Sequence, residues 1–152
     1  MKRFIPFLKS PPLVSVIRLQ GVIAAAGRTG GLNDATLAPV IERAFTSGRT
    51  RAVALVINSP GGSPVQSSLI AASIRRLAVE KSLPVHAFVE DAAASGGYWL
   101  ATAADDIWVD ESSLFVSIGV ISSGFGFPDL IARAGVERRV HTAGTAKSFH
   151  DP

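Results

Sequence analysis

The sequence predicts an α/β domain. Short β-branched runs alternate with helical stretches along the chain. One run, Ala52 to Ile57, is apolar throughout and bounded by polar residues, as a buried central strand is. Two apolar strands end in turns containing a Gly-Gly pair, each opening a helix.

Leu13 to Leu19 reads as the first strand. Residues 21–31, rich in Gly and Ala, read as a short strand running into a loop. Asn33 caps a helix to about Phe45, with Leu37, Val40, Ile41 and Ala44 on one face. Pro39 falls inside that span, which predicts a kink or a later start. After the strand Ala52–Ile57 comes the turn Asn58-Ser59-Pro60-Gly61-Gly62. Ser63-Pro64-Val65-Gln66 then has the form of a capping box with Pro at the first helical position, and the helix runs to about Glu80. Pro84 to Val89 is a third strand. Residues 92–98 lead into a helix ending near Ala104. Ile107 to Val109 and Ser117 to Ser122 are short strands. Pro128 to Ala134 is a helix stopped by Gly135, and Val136 to Thr142 is a last strand.

With 152 residues, 47% hydrophobic and 18% charged, the chain can bury a single core and is not a disordered polymer. Residues 1–12 read as an N-terminal tail and 13–152 as the domain. A net charge of +3, with no run of Lys or Arg longer than two, argues against nucleic acid. The absence of cysteine excludes disulfides, thiolate metal sites and a cysteine nucleophile. Carboxylates and histidines do not cluster at ligand spacing, so neither a metal nor another cofactor is expected. Pro6, Lys9 and Pro11-Pro12 break the apolar stretch that a signal peptide needs, and no window offers the ~20 apolar residues of a membrane span. The expected location is cytoplasmic or peripheral to the inner membrane; Phe4, Ile5, Phe7 and Leu8 read first as a tail packing on its own domain or on a partner subunit, and otherwise as a contact with a membrane surface.

The two Gly-Gly turns are where ligands gather in open α/β sheets. In the first, glycines let backbone N–H groups face outward, where they can hold an anion or a developing oxyanion, or form only a tight turn. In the second, Ala94-Ser95-Gly96-Gly97 places a serine at a helix start. There it is either a nucleophile with approachable oxygen or a helix cap. A serine nucleophile needs a base. Of three histidines, His86 lies in an apolar strand, His141 near the end of the last strand and His150 almost at the terminus. Lys147 is a further candidate, but free lysine has a pKa of ~10.4 and acts as a base only where burial or a nearby charge lowers it. From the residues alone it reads better as a solvated surface lysine. Trp99 and Trp108 are expected in the core or in a subunit contact.

Several runs together resemble the signal peptide peptidase A family, also called protease IV. They are residues 56–63 (Val-Ile-Asn-Ser-Pro-Gly-Gly-Ser), 94–105 (Ala-Ser-Gly-Gly-Tyr-Trp-Leu-Ala-Thr-Ala-Ala-Asp) and 117–121 (Ser-Ile-Gly-Val-Ile). Residues 135–140, Thr142-Ala143-Gly144 and Lys147-Ser148 complete the pattern, which spans nearly everything from Leu13 to Pro152. The resemblance implies the Clp protease/crotonase-like fold of repeated ββα units, here C-terminally short. It implies a serine endopeptidase acting on signal-peptide remnants or membrane-associated peptides through a Ser–Lys dyad. Ser95 falls on the nucleophile and Lys147 on the base. Backbone N–H groups of Gly61 or Gly62 and of Gly96 fall on the oxyanion hole, and Ser117 on a residue orienting the lysine. It also implies a homo-oligomer with sites near subunit interfaces, where the lysine acts within one subunit or across two.

Three features depart from the family. Family members usually carry a membrane anchor before the first strand, which residues 1–12 do not offer; they often have Gly where Val116 stands; and they are expected to continue with further helices beyond the region of Lys147. Two other functions fit the same fold: a non-catalytic module binding peptides or assembling with partners, and a crotonase-like acyl-CoA enzyme. Against the latter, only Glu90 and Asp91 offer carboxylates beside a turn. A dinucleotide fingerprint fails, because Asp129 stands where Gly124-Phe125-Gly126 would need its third glycine.

Overall fold

A computed structural model describes residues 11–25, 30–116, 130 and 133–135. The chain divides into two compact units, 1–120 and 121–152. The first alternates strand and helix: β1 (Leu13–Gln20), α1 (Asp34–Thr46), β2 (Thr50–Ser59), α2 (Pro64–Lys81), β3 (Val85–Ala94), α3 (Gly96–Ala101), β4 (Asp106–Val109) and β5 (Leu114–Val116). In the second, the Ala134 N–H donates to the Leu130 carbonyl at 3.1 Å, and Gly135 follows at φ 66°, as a glycine ending a helix does.

The strands are parallel, in the order β1-β2-β3-β4. Right-handed crossovers that always step the same way across a sheet put every helix on one face. Burial follows that rule. Ile17, Leu19, Val53, Leu55, Ile57, Val85, Ala87 and Val89 are buried together with Leu37, Ile41 and Phe45 of α1, Ile70, Ile74 and Leu77 of α2, and Leu100 of α3. Alternate residues on the strands, among them Val14, Val16, Phe88 and Trp108, remain exposed.

β3 is longer than the sequence suggests, running to Ala94 rather than Val89. Its first half pairs with β4 through His86 to Val89, and its last residues pair with β5 through Ala92, Ala93 and Ala94. The strand Leu114–Val116 is not among those the sequence predicts. Between β2 and β3 the register slips, so that Ile57 opposes Val89 but Ser59 opposes Ala93. The extra residues form a bulge, closed by a 2.6 Å hydrogen bond from Asn58 Nδ2 to Asp91 Oδ2.

Asn33 caps α1 through a 3.0 Å bond from the Thr36 N–H. α1 continues through Pro39 without a break, and the buried residue at its end is Phe45, while Val40 is exposed. α2 begins with Pro64 after the Ser63 cap, as expected. The capping box is only half made: Gln66 Oε1 accepts the Asp34 N–H at 2.8 Å, tying the starts of α1 and α2 together. Trp99 and Trp108 are 44% and 61% exposed, so neither packs in the core. The expected strands at 117–122 and 136–142 lie outside the described residues.

Candidate active site

The two turns meet at the carboxyl ends of β2 and β3. Because Ser59 pairs with Ala93, the chain leaving β2 and the chain leaving β3 emerge side by side. Gly61 packs directly on the second turn. A Cβ at Gly61 would lie 2.5 Å from the Ala94 carbonyl oxygen, 2.8 Å from the Gly96 nitrogen and 2.9 Å from the Ser95 Cβ. Only glycine permits that approach, and its φ of +92° adds a second reason.

The first turn is held from the other side by Ile23. The Ile23 N–H donates to the Gly61 carbonyl and the Ser63 N–H donates to the Ile23 carbonyl, both at 2.8 Å. The Gly61 N–H donates to Ser59 Oγ at 3.1 Å. The N–H groups of Gly62 and Gly96 meet no acceptor among the described residues.

Ser95 occupies φ 51°, ψ −114°, a region that non-glycine residues rarely adopt and that costs on the order of 1–3 kcal/mol. Neighbouring bonds hold it there. Its N–H donates to the Val116 carbonyl at 3.2 Å, and its carbonyl accepts the Trp99 N–H at 3.0 Å. Thus Val116 sits in β5 and fixes the Ser95 backbone. The Tyr98 ring rests 4.6 Å from that of Phe115, fastening α3 to the same strand. The half-buried Ser95 side chain makes no capping hydrogen bond, so Ser95 is not serving as an ordinary cap for α3.

The other titratable groups have different partners. His86 Nδ1 lies 2.8 Å from Asp106 Oδ1, near the opposite end of β3 from Ser95. Glu90 pairs with Arg18 at 3.1 Å and Asp91 with Asn58, so both carboxylates beside the turns are engaged along the sheet. Asp105 accepts the Val85 N–H and the Arg75 guanidinium, which hold its carboxyl below the usual carboxylate range. The Ser112 hydroxyl and N–H do the same for Asp110 in the turn between β4 and β5. No group of three potential metal-ligating side chains is found among the described residues. Lys147, Ser117, His141 and His150 lie outside the described residues.

In the sequence Ser59 reads only as part of a turn. Its signal was positional: Val53, Leu55, Ile57 and Ser59 share one row of a period-two strand, so a hydroxyl in the core was foreseeable.

A parallel sheet with helices on one face, and a serine held at positive φ against a glycine turn, define an α/β protein with a strained serine at the carboxyl ends of its central strands. A membrane-bound stomatin-specific protease, 1510-N, superposes with a TM-score of 0.52 at 16% identity, covering 83% of this chain and 60% of that one. The family model for peptidase family S49 matches residues 78–151. The chain is 31% identical to protease 4 of Haemophilus influenzae, over 83% of its own length and 20% of that protein. It is 50% identical, over its full length, to 21% of a Brucella abortus protein named Na+/H+ antiporter NhaA. The chain therefore spans about a fifth of the length of these two curated relatives. Through residues 78–151 the chain is similar to peptidase family S49, and over most of its length it is similar to proteins named protease 4. No helix among the described residues is long and apolar enough to cross a membrane.

Proposed function

We propose that this chain carries the catalytic groups of a serine endopeptidase with a Ser95–Lys147 dyad. The observation that carries the proposal is the state of Ser95: strained at positive φ, its side chain making no capping bond, and pressed against the Gly61–Gly62 turn. Lys147, with its amine neutral, takes the proton from Ser95 Oγ as that oxygen bonds to the scissile carbonyl carbon. The N–H groups of Gly62 and Gly96 stabilise the oxyanion. We choose Gly62 over Gly61 because the Gly61 N–H already has an acceptor in Ser59. Lys147 next protonates the leaving amine as the C–N bond breaks, and water releases the acyl group from Ser95. Ser117 orients the lysine. The substrates are signal-peptide remnants or membrane-associated peptides. Subunits assemble so that sites lie near their interfaces, in the cytoplasm or against the inner membrane.

The match to one fifth of a protein named as an antiporter favours a second reading: a non-catalytic module that associates with a membrane protein. Labelling with an alkyl fluorophosphonate across pH separates the two. The peptidase labels faster as pH rises, and Ser95→Ala and Lys147→Ala both abolish the signal. Absence of labelling in the wild type at every pH would contradict the peptidase and favour the module.

A further inference from the structure

Ser59 is fully buried at the last position of β2, in the row of strand residues that otherwise holds Val53, Leu55 and Ile57. A hydroxyl in that row has to be hydrogen-bonded. It donates to the Gly21 carbonyl at 2.6 Å and accepts the Gly61 N–H at 3.1 Å. Its backbone also bounds the second turn: a Cβ at Gly97 would lie 2.6 Å from the Ser59 carbonyl oxygen and 3.2 Å from its Cβ. One residue thus touches the glycine turn through its side chain and the start of α3 through its main chain.

We propose that Ser59 is a positioning residue for oxyanion stabilisation. Its hydroxyl draws the first glycine N–H of the turn into the core and leaves the second, that of Gly62, for the oxyanion. The same residue sets how far the turn stands from α3, and hence from the Gly96 N–H and Ser95. The proposal rests on the peptidase reading above. Alanine at 59 would strand the Gly61 N–H and the Gly21 carbonyl without partners, and the turn would rearrange to recover a bond. A displacement of about 1 Å at such a site costs on the order of 10²-fold in rate.

The test uses the full chain and an alkyl fluorophosphonate, with Ser59→Ala compared against Thr50→Val. Thr50 is also buried on β2, and its hydroxyl lies 2.8 Å from Ser15 Oγ at the far end of the strand. The proposal expects the Ser59→Ala labelling plateau to fall about 10- to 100-fold with the apparent pKa of the profile unchanged, and Thr50→Val to label like wild type. If wild type labels and folded Ser59→Ala labels within about twofold of it, the positioning role is overturned while the peptidase reading stands. If wild type does not label, the peptidase reading fails and takes this role with it. Should Ser59→Ala not fold, amide hydrogen exchange on wild type decides. The Gly61 amide should be protected and that of Gly62 exchange quickly; the reverse order would overturn the proposal.

Discussion

Replacing Gly61 with alanine should wedge the two turns apart. At φ +92° an L side chain costs about 1–2 kcal/mol. The new Cβ would sit 2.5 Å, 2.8 Å and 2.9 Å from the Ala94 oxygen, the Gly96 nitrogen and the Ser95 Cβ, where ordinary contact begins at 3.4 Å. None of these atoms ends a flexible side chain, so the backbone has to yield by several tenths of an ångström. Overpacking of that kind costs about 1–3 kcal/mol. The whole effect is about 2–5 kcal/mol. Urea denaturation followed by tryptophan fluorescence measures it, and fluorophosphonate labelling of the same samples should drop about 100-fold. Gly48→Ala is the control, because its Cβ would meet nothing within 4 Å, and it should stay within about 0.5 kcal/mol of wild type. A Gly61→Ala protein as stable as Gly48→Ala, with full labelling, would refute the close approach of the turns.

Other consequences are independent of catalysis. The Asp105 carboxyl is held below its ordinary 3.8 by the Val85 N–H and Arg75, so the stability it contributes is present above that value and is lost as pH falls through the lower folded one. Asp105→Asn should cost about 1 kcal/mol at neutral pH, a figure reduced for its exposure, and flatten the acid limb of a stability–pH curve. Asn33→Ala should cost about 1 kcal/mol through loss of the α1 cap, read in the same denaturation assay. Gln66→Ala should cost a similar amount, about 1 kcal/mol, although Gln66 lies on α2, because it leaves the Asp34 N–H without its partner. If Gln66 instead served its own helix, pairing the substitution with Asn33→Ala would show no coupling between the two helix starts.

The features legible in the sequence were those written locally. The apolar run of β2, the Asn33 and Ser63 caps and the two glycine turns all follow from residue type and spacing. The errors arose where partners distant in sequence decide. Ala92 to Ala94 have helical propensity, yet they form strand because β5 lies beside them. Leu114 to Val116 are too short a run to announce a strand without β3. Trp99 and Trp108, of the two places expected for them, do not occupy the core: each holds an outward position of its element. At the site, glycine spacing pointed to Gly61 and Gly62 alike. Only the buried hydroxyl of Ser59 distinguishes their N–H groups, and that depends on β2 ending where it does. Ser95 reads as a cap or as a nucleophile from its neighbours; its positive φ and the lack of a side-chain capping bond are what the structure adds, and the proposed nucleophile rests on them.

Mass spectrometry of the full chain after reaction with an alkyl fluorophosphonate bears on the nucleophile itself. The adduct should fall on the peptide containing Ser95, grow with alkaline pH, and be missing from Lys147→Ala. An adduct on a different serine, or none at any pH, would contradict the assignment.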